Sequence, residues 1–135
     1  MGNIIQKKLK KGLAKPREKF IAQSEADIQK TCVNWFRLQY PSLSFMLFAV
    51  PNGELRNIVV ATKLKRQGVL RGVADLILLI PKKGFASLCI EMKTPKGKQR
   101  EEQIEWQREA EKYRNKYVIC RSLQDFMNEV NSYLR

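Results

Sequence analysis

Two apolar runs joined by a short turn constrain the fold of this chain more strongly than any other feature. The runs span residues 72–80 and 85–93, and the turn between them contains Pro81 and Gly84. Apolar runs of this length on either side of such a turn predict a β-hairpin. Antiparallel pairing about the turn places Asp75, near the start of the first strand, beside the end of the second strand.

The end of the second strand carries the sequence Glu91-Met92-Lys93. Glu91 and Lys93 are two residues apart, so they project from the same face of their strand. With Asp75, two carboxylates and an ammonium group then meet at one end of the sheet. Carboxylate oxygens suit a hard divalent cation, and a neighbouring cation can hold a phosphate or a water. This set is the minimum for metal-assisted phosphodiester cleavage. The alternative is a group of solvent-facing charges with an ion pair at Lys93.

The net charge of +13 predicts a polyanionic partner, and nucleic acid is the commonest one. Residues 1–20 contain seven Lys or Arg and one Glu, so about half of the excess lies outside this segment. The chain has no histidine, which excludes histidine-based nucleases, zinc fingers with histidine ligands and Ser-His-Asp hydrolases.

The three cysteines, Cys32, Cys89 and Cys120, lie in apolar or helical runs without CxxC spacing. This arrangement predicts buried free thiols and a cytoplasmic location, since unpaired thiols persist in a reducing cytosol. No apolar run approaches the roughly 18–20 residues that span a bilayer, so we expect no membrane partner of that kind.

The chain divides into a basic N-terminal arm, residues 1–22, and one domain, residues 23–135. Ser24 has the features of a helix N-cap. The elements predicted after it are a helix over 25–39, a buried strand over 44–50, a helix over 55–66, the two hairpin strands, a helix over 100–114, a strand over 117–120 and a helix from 122 to 133. The order α-β-α-β-β-α-β-α predicts an α/β fold with a mixed sheet flanked by helices.

These residues resemble the VRR-NUC family of the PD-(D/E)XK nuclease superfamily over roughly residues 24–134. The matching features are Asp75, Glu91-x-Lys93, an acid on the first helix (Glu25), Pro51-Asn52-Gly53, residues 67–69 and 72–75, Gln103, Trp106 and residues 117–122. Three features depart from the family pattern: Ala74 replaces the proline, Gln99-Arg100 replaces a Leu-Ser-like helix start, and no histidine precedes Pro51. These three departures bear on which DNA substrate the protein prefers more than on its ability to cleave a phosphodiester bond.

The resemblance implies a restriction-endonuclease-like fold and a Mg²⁺- or Mn²⁺-dependent DNA endonuclease without a small-molecule cofactor. Stand-alone, phage-type members are associated with branched DNA, such as four-way junctions or flaps, and act as homodimers; larger proteins use the domain in DNA repair. One alternative is a basic DNA-binding module without catalysis. Another is a protein whose basic arm binds a membrane surface or a partner.

Within this hypothesis, Asp75, Glu91 and the Met92 carbonyl are expected to bind the metal, and Glu25 to complete the site directly or through a water. Glu25 is equally explained as an acid favoured at a helix N-terminus. Lys93 is expected to hold the attacking water or the scissile phosphate.

Gln103 could reach a water or the DNA backbone, or could simply be solvated. The residues predicted to contact DNA are backbone or cationic groups near the site, namely Asn52, Gly53, Lys63, Lys65, Arg66, Arg71, Lys96 and Lys98. The alternative for Asn52 and Gly53 is a plain turn, and charge runs are often only solvated faces.

Overall fold

The computed structural model describes residues 22–51 and 58–135. The elements of these two ranges follow in the order α1 (Glu25–Gln39), a 3-10 helix (Pro41–Met46), β1 (Leu47–Ala49), α2 (Ile58–Arg66), β2 (Leu76–Leu78), β3 (Ser87–Met92), α3 (Glu101–Lys112), β4 (Asn115–Cys120) and α4 (Leu123–Leu134). The predicted α/β class and the order of helices and strands are confirmed. Of the predicted basic arm, all but Ala22 lies outside the described residues.

The strands form one mixed sheet in the order β1-β2-β3-β4. The first three strands are antiparallel, and β4 runs parallel to β3. The predicted hairpin is confirmed: Lys82 and Phe85 exchange backbone hydrogen bonds, with Lys83 and Gly84 both at positive φ, as tight hairpin turns require. Leu76 pairs with Ile90, so the residue before Leu76 lies beside Glu91.

The side chains of β3 alternate between two layers of the domain. Leu88, Ile90 and Met92 point into the main core, where α1 and α4 cover the sheet. Cys89 lies on the opposite face, in a smaller cluster with Ala74 and Tyr117. Helix α3 covers this second face through Trp106. Glu91 shares the face of Cys89 and therefore points toward α3.

Helix α1 begins as the sequence predicts, with a capping box at Ser24. The Ser24 hydroxyl oxygen accepts a bond from the Asp27 N–H at 3.1 Å, and the Asp27 carboxylate accepts one from the Ser24 N–H at 3.3 Å. All three cysteines are buried and unpaired, as predicted. No helix within the described ranges is long and apolar enough to cross a bilayer.

The predicted buried strand over residues 44–50 is wrong in its start and its burial. Pro41 begins a 3-10 helix that runs to Met46, and only Leu47–Ala49 form a strand. Proline presets the backbone angle of a helical first turn, which the apolar pattern alone does not reveal. β1 is also an edge strand, so Phe48 is 44% exposed.

Other boundaries differ as well: β2 covers only Leu76–Leu78 of the predicted run 72–80, and β3 covers Ser87–Met92 of the run 85–93. Helix α2 is described from Ile58, and its predicted start at residues 55–57 lies outside the described residues. Helix α3 ends at Lys112, because Arg114 adopts a left-handed φ of 66°. Strand β4 begins two residues earlier than predicted, at Asn115, since it follows that turn directly.

Candidate active site

Asp75 is attached to the backbone of β3 at the end of the hairpin. One of its carboxylate oxygens, Oδ2, accepts a hydrogen bond from the Met92 N–H at 2.7 Å. Its own carbonyl accepts a bond from the Val50 N–H at 2.8 Å, which ties it to the end of β1. These bonds hold the half-buried Asp75 side chain at the edge of β3, beside Glu91.

Glu91 is a buried carboxyl, 1% exposed, whose two oxygens each accept one hydrogen bond. The Gln103 side-chain amide donates to Oε1 at 3.0 Å, and the Tyr117 hydroxyl donates to Oε2 at 3.1 Å. Both donors are oriented by further bonds: Gln103 Oε1 accepts from the Arg100 N–H at 2.8 Å, and the Tyr117 hydroxyl accepts from Gln99 Nε2 at 3.2 Å. The network therefore fixes the rotamer of Glu91.

The pKa of Glu91 is raised from its ordinary value of 4.5 to about 8. Burial is the largest cause, followed by the hydrogen bond to Asp75 and the charge of Asp75. The Tyr117 bond and the charge of Lys93 oppose the rise. Two neighbouring carboxyl groups at a desolvated site disfavour a second negative charge, and a bound cation would relieve that repulsion.

This donor set fits a hard divalent cation. Asp75 and Glu91 offer carboxylate oxygens, and the carbonyl of Met92, the residue after Glu91, is predicted to add a third oxygen. Mg²⁺ typically binds one or two carboxylates and keeps several waters, so three protein oxygens are sufficient. Within the described residues, no three His, Cys, Asp or Glu side chains are grouped to hold a metal. Glu25 is exposed in the first turn of α1, and its place at the site, directly or through a water, stays a prediction.

Glu91 makes the stability of the metal-free protein depend on pH. Between pH 4.5 and about 8 the unfolded chain releases a proton that the folded protein keeps. The free energy of unfolding therefore falls as the pH rises through this window, by at most about 1.4 kcal/mol per pH unit. Below pH 4.5 the carboxyl is protonated in both states, so its contribution is fully present.

We expect urea unfolding in EDTA to show this slope between about pH 5 and pH 8. The Glu91→Gln variant should lose the slope, whatever its absolute stability, because an amide does not titrate. A variant that keeps the full slope contradicts the assignment to Glu91.

Lys93 directly follows β3 and completes the trio that the hairpin predicts. Its backbone N–H donates to the Cys120 carbonyl at 3.0 Å, which anchors it to the end of β4. Its side chain is 5% exposed, and its charge is close enough to lower the pKa of Glu91. The structure thus brings Asp75, Glu91 and Lys93 together at one end of the sheet.

Gln103 lies in the first turn of α3, 4% exposed, with its amide bound to Glu91. The sequence left two alternatives open for Gln103: a contact with a water or the DNA backbone, or a solvent-exposed position without a role. In the structure the side chain orients Glu91, because its oxygen is held by the Arg100 N–H and its nitrogen by the carboxylate. Met92 has its side chain in the core and its backbone N–H on Asp75.

The predicted DNA-contacting cations lie on two exposed segments that border Asp75 and Lys93. The segment before Asp75 leaves the sheet at Val50 and returns at Asp75, and these two residues share a backbone bond. It carries the last turn of α2. The loop after Lys93 carries the second group. The exposed cations of the two segments are Lys63, Lys65, Arg66, Arg71, Lys96 and Lys98. Asn52 and Gly53 lie outside the described residues.

Tyr117 and Gln99 are site residues that sequence reasoning missed. Tyr117 is opposite Cys89 in the parallel β3–β4 pair, which puts it on the face of Glu91. Gln99 bonds both the Tyr117 hydroxyl and, at 2.9 Å, Gln107 Oε1. The sequence placed Tyr117 within the matching residues 117–122 and Gln99 within a departure from the family pattern, but the roles of both depend on the strand direction, which the sequence did not reveal.

Comparison with known proteins identifies the family of this domain. The VRR-NUC domain model matches residues 20–124, which is most of the chain. A solved structure described as a VRR_NUC domain protein is similar, with a TM-score of 0.73 and 23% identity over 84% of this chain and 90% of the other. Among proteins with curated descriptions, no significant match is found. On the evidence of the domain match, this chain belongs to the VRR-NUC family.

Proposed function

We propose that this protein is a divalent-metal-dependent DNA endonuclease that hydrolyses phosphodiester bonds. One observation carries the proposal: Asp75 and the buried Glu91 lie side by side, with the Lys93 charge acting on the same site. Hydrogen-bond donors orient Glu91 from two sides, so the carboxyl is fixed before any ligand arrives. Preorganisation of this kind is typical of a catalytic site and unusual for charges at a strand end.

In this proposal Asp75, Glu91 and the Met92 carbonyl hold Mg²⁺ or Mn²⁺. When bound, the ion would lower the pKa of a water and offset the charge that develops on the phosphate. The Lys93 ammonium holds the attacking water or a phosphate oxygen, where its charge favours the transition state. Gln103 and Tyr117 orient Glu91 through its two oxygens.

Positive charge supports DNA as the substrate. The exposed cations of the last turn of α2, namely Lys63, Lys65 and Arg66, are connected to Asp75 through a short segment. Lys96 and Lys98 follow Lys93 on the other side of the trio. Cations on both sides of a catalytic site can hold the phosphates that flank the scissile bond, in a way that weakens with salt.

We extend the proposal to branched DNA and to a homodimer, both of which the resemblance to phage-type VRR-NUC members implies. The test is cleavage of labelled four-way junction, flap and linear duplex DNA in Mg²⁺, Mn²⁺ or EDTA. We expect metal-dependent incision that is fastest on a branched substrate. Equal cleavage rates on all three substrates would contradict the proposed selectivity for branched DNA. Sedimentation that shows only monomers at micromolar protein concentration would contradict the proposed dimer.

The same experiment distinguishes a DNA-binding module without catalysis. Such a module would bind all three substrates in a salt-sensitive way, would not depend on the metal and would leave every strand intact. Binding is therefore measured in EDTA on the same substrates, so that tight binding without incision in Mg²⁺ or Mn²⁺ identifies the module and overturns the proposed nuclease.

A further inference from the structure

Arg121, between β4 and α4, lies next to the proposed catalytic centre without belonging to the carboxylate network. Its guanidinium donates from Nη1 to the Thr94 carbonyl at 2.8 Å and to the Gly97 carbonyl at 2.7 Å. A weaker contact reaches the Pro95 carbonyl at 3.4 Å. One nitrogen of Arg121 thus gathers the carbonyls of the loop that directly follows Lys93.

That loop lies close to the Lys93 side chain. Residues 94–97 form a turn closed by the Gly97 N–H donating to the Thr94 carbonyl at 3.0 Å. A Cβ atom added at Gly97 would lie 3.4 Å from Lys93 Cδ and 3.1 Å from Thr94 Oγ1. The turn therefore lies within one added carbon atom of the aliphatic part of Lys93 and borders the space that the side chain occupies.

Arg121 is itself held rigidly beside the Lys93 backbone. It directly follows Cys120, whose carbonyl accepts the bond from the Lys93 N–H. Its own N–H donates to Asp125 Oδ2 at 2.9 Å, in the first turn of α4. The ion pairs within residues 22–51 and 58–135 do not include Arg121, so its guanidinium acts on backbone carbonyls. A cation used in this way organises a loop.

We propose that Arg121 is a positioning residue, which fixes the Lys93 ammonium by holding the 94–97 turn against the Lys93 side chain. The proposal rests on the proposed function, because Lys93 is the group whose position matters. Without the clamp, the turn loosens and the ammonium samples positions away from the reacting phosphate. A misplacement of about 1 Å can lower turnover by about 100-fold.

The test is Arg121→Met, which keeps the side-chain length and removes the donors. We expect kcat to fall by about 10- to 100-fold, with little change in the KM for DNA. The matched control is Arg108→Met, which removes one exposed arginine charge from α3 and should leave kcat unchanged. Arg121→Lys keeps the charge and an N–H donor group that ends about one bond short of Nη1, so it should recover part of the lost turnover. Wild-type kcat in a folded Arg121→Met protein overturns the clamp.

Two readouts need no nuclease activity, so they separate this proposal from the proposed function. Lys93 is 5% exposed, and its acetylation by a soluble reagent, followed by mass spectrometry, should accelerate in Arg121→Met. Hydrogen exchange at Gly97 should accelerate as well. If both change while no variant cuts DNA, the clamp is supported and the nuclease is not. If neither changes, the clamp is wrong.

A second variant perturbs the turn without touching Arg121, in case Arg121→Met does not fold. Gly97→Ala places a methyl group against Thr94 Oγ1 and the Lys93 side chain. We expect it to lower kcat and to change the rate of Lys93 acetylation, because the methyl group enters the space beside the Lys93 side chain. Wild-type values of both in a folded Gly97→Ala protein contradict the coupling between the turn and Lys93.

Discussion

Replacing Asp75 with Asn should lower metal-dependent cleavage by about 1,000-fold while leaving the fold intact. The amide oxygen can still accept the bond that the Met92 N–H gives to Asp75 Oδ2, so the end of the hairpin keeps its geometry. The variant loses the negative charge that makes this side chain a metal ligand. Metal stabilisation of the transition state amounts to several kcal/mol, and each 1.36 kcal/mol changes the rate tenfold.

Thermal unfolding gives a second, independent measure of the same change. A cation that binds only the folded protein raises Tm, and the rise grows with the ratio of its concentration to its Kd, so Mn²⁺ should stabilise the wild type and not Asp75→Asn. In EDTA the variant should be no less stable than the wild type, because the charge of Asp75 raises the pKa of Glu91. The control is Glu109→Gln, an exposed carboxylate of α3. Wild-type cleavage by Asp75→Asn contradicts the metal site.

Replacing Gly72 with Ala should destabilise the domain by about 3–5 kcal/mol and loosen the active site. Gly72 has a φ of +87°, which costs an L-residue about 1–2 kcal/mol. An added Cβ would lie 2.3 Å from the Glu102 carbonyl oxygen and 2.6 Å from its carbon. Helix α3 must therefore move at its first turn, where Gln103 holds Glu91.

Gly68→Ala is the matched control for this prediction. Gly68 has a similar φ of +100°, but an added Cβ meets nothing within 4 Å. Urea unfolding of both variants separates the cost of a positive φ from the cost of the steric clash with α3. Only Gly72→Ala should also lose cleavage activity. Equal destabilisation of the two variants means that the approach of Gly72 to α3 does not matter.

The features of the site that could be predicted from the sequence are those set by residues close together in the chain. A hairpin is specified by the apolar runs and the turn residues of one continuous segment, although the register shifts by one residue between the Lys82–Phe85 bridge and the pairing of Leu76 with Ile90. The position of Asp75 beside Glu91 could therefore be predicted from the sequence. Ser24 and Asp27 likewise define the start of α1, because a capping box is a contact across three residues.

The rest depends on contacts between segments distant in the chain. Tyr117 reaches Glu91 only because α3 crosses over and returns β4 parallel to β3, and neither the direction nor the register is encoded locally. The burial of Gln103 has the same origin, since a polar helix gives no sign of the face that meets the sheet. The glycine at position 72 is readable as a turn, but its approach to α3 is not.

The most direct test is single-turnover cleavage of a labelled four-way junction by the wild type and Lys93→Met, in Mg²⁺ and in EDTA. We expect incision by the wild type in Mg²⁺ only, and a rate about 100- to 1,000-fold lower in the variant, with DNA binding retained. Incision in EDTA, or wild-type cleavage by Lys93→Met, would contradict a hydrolytic site built from Asp75, Glu91 and Lys93.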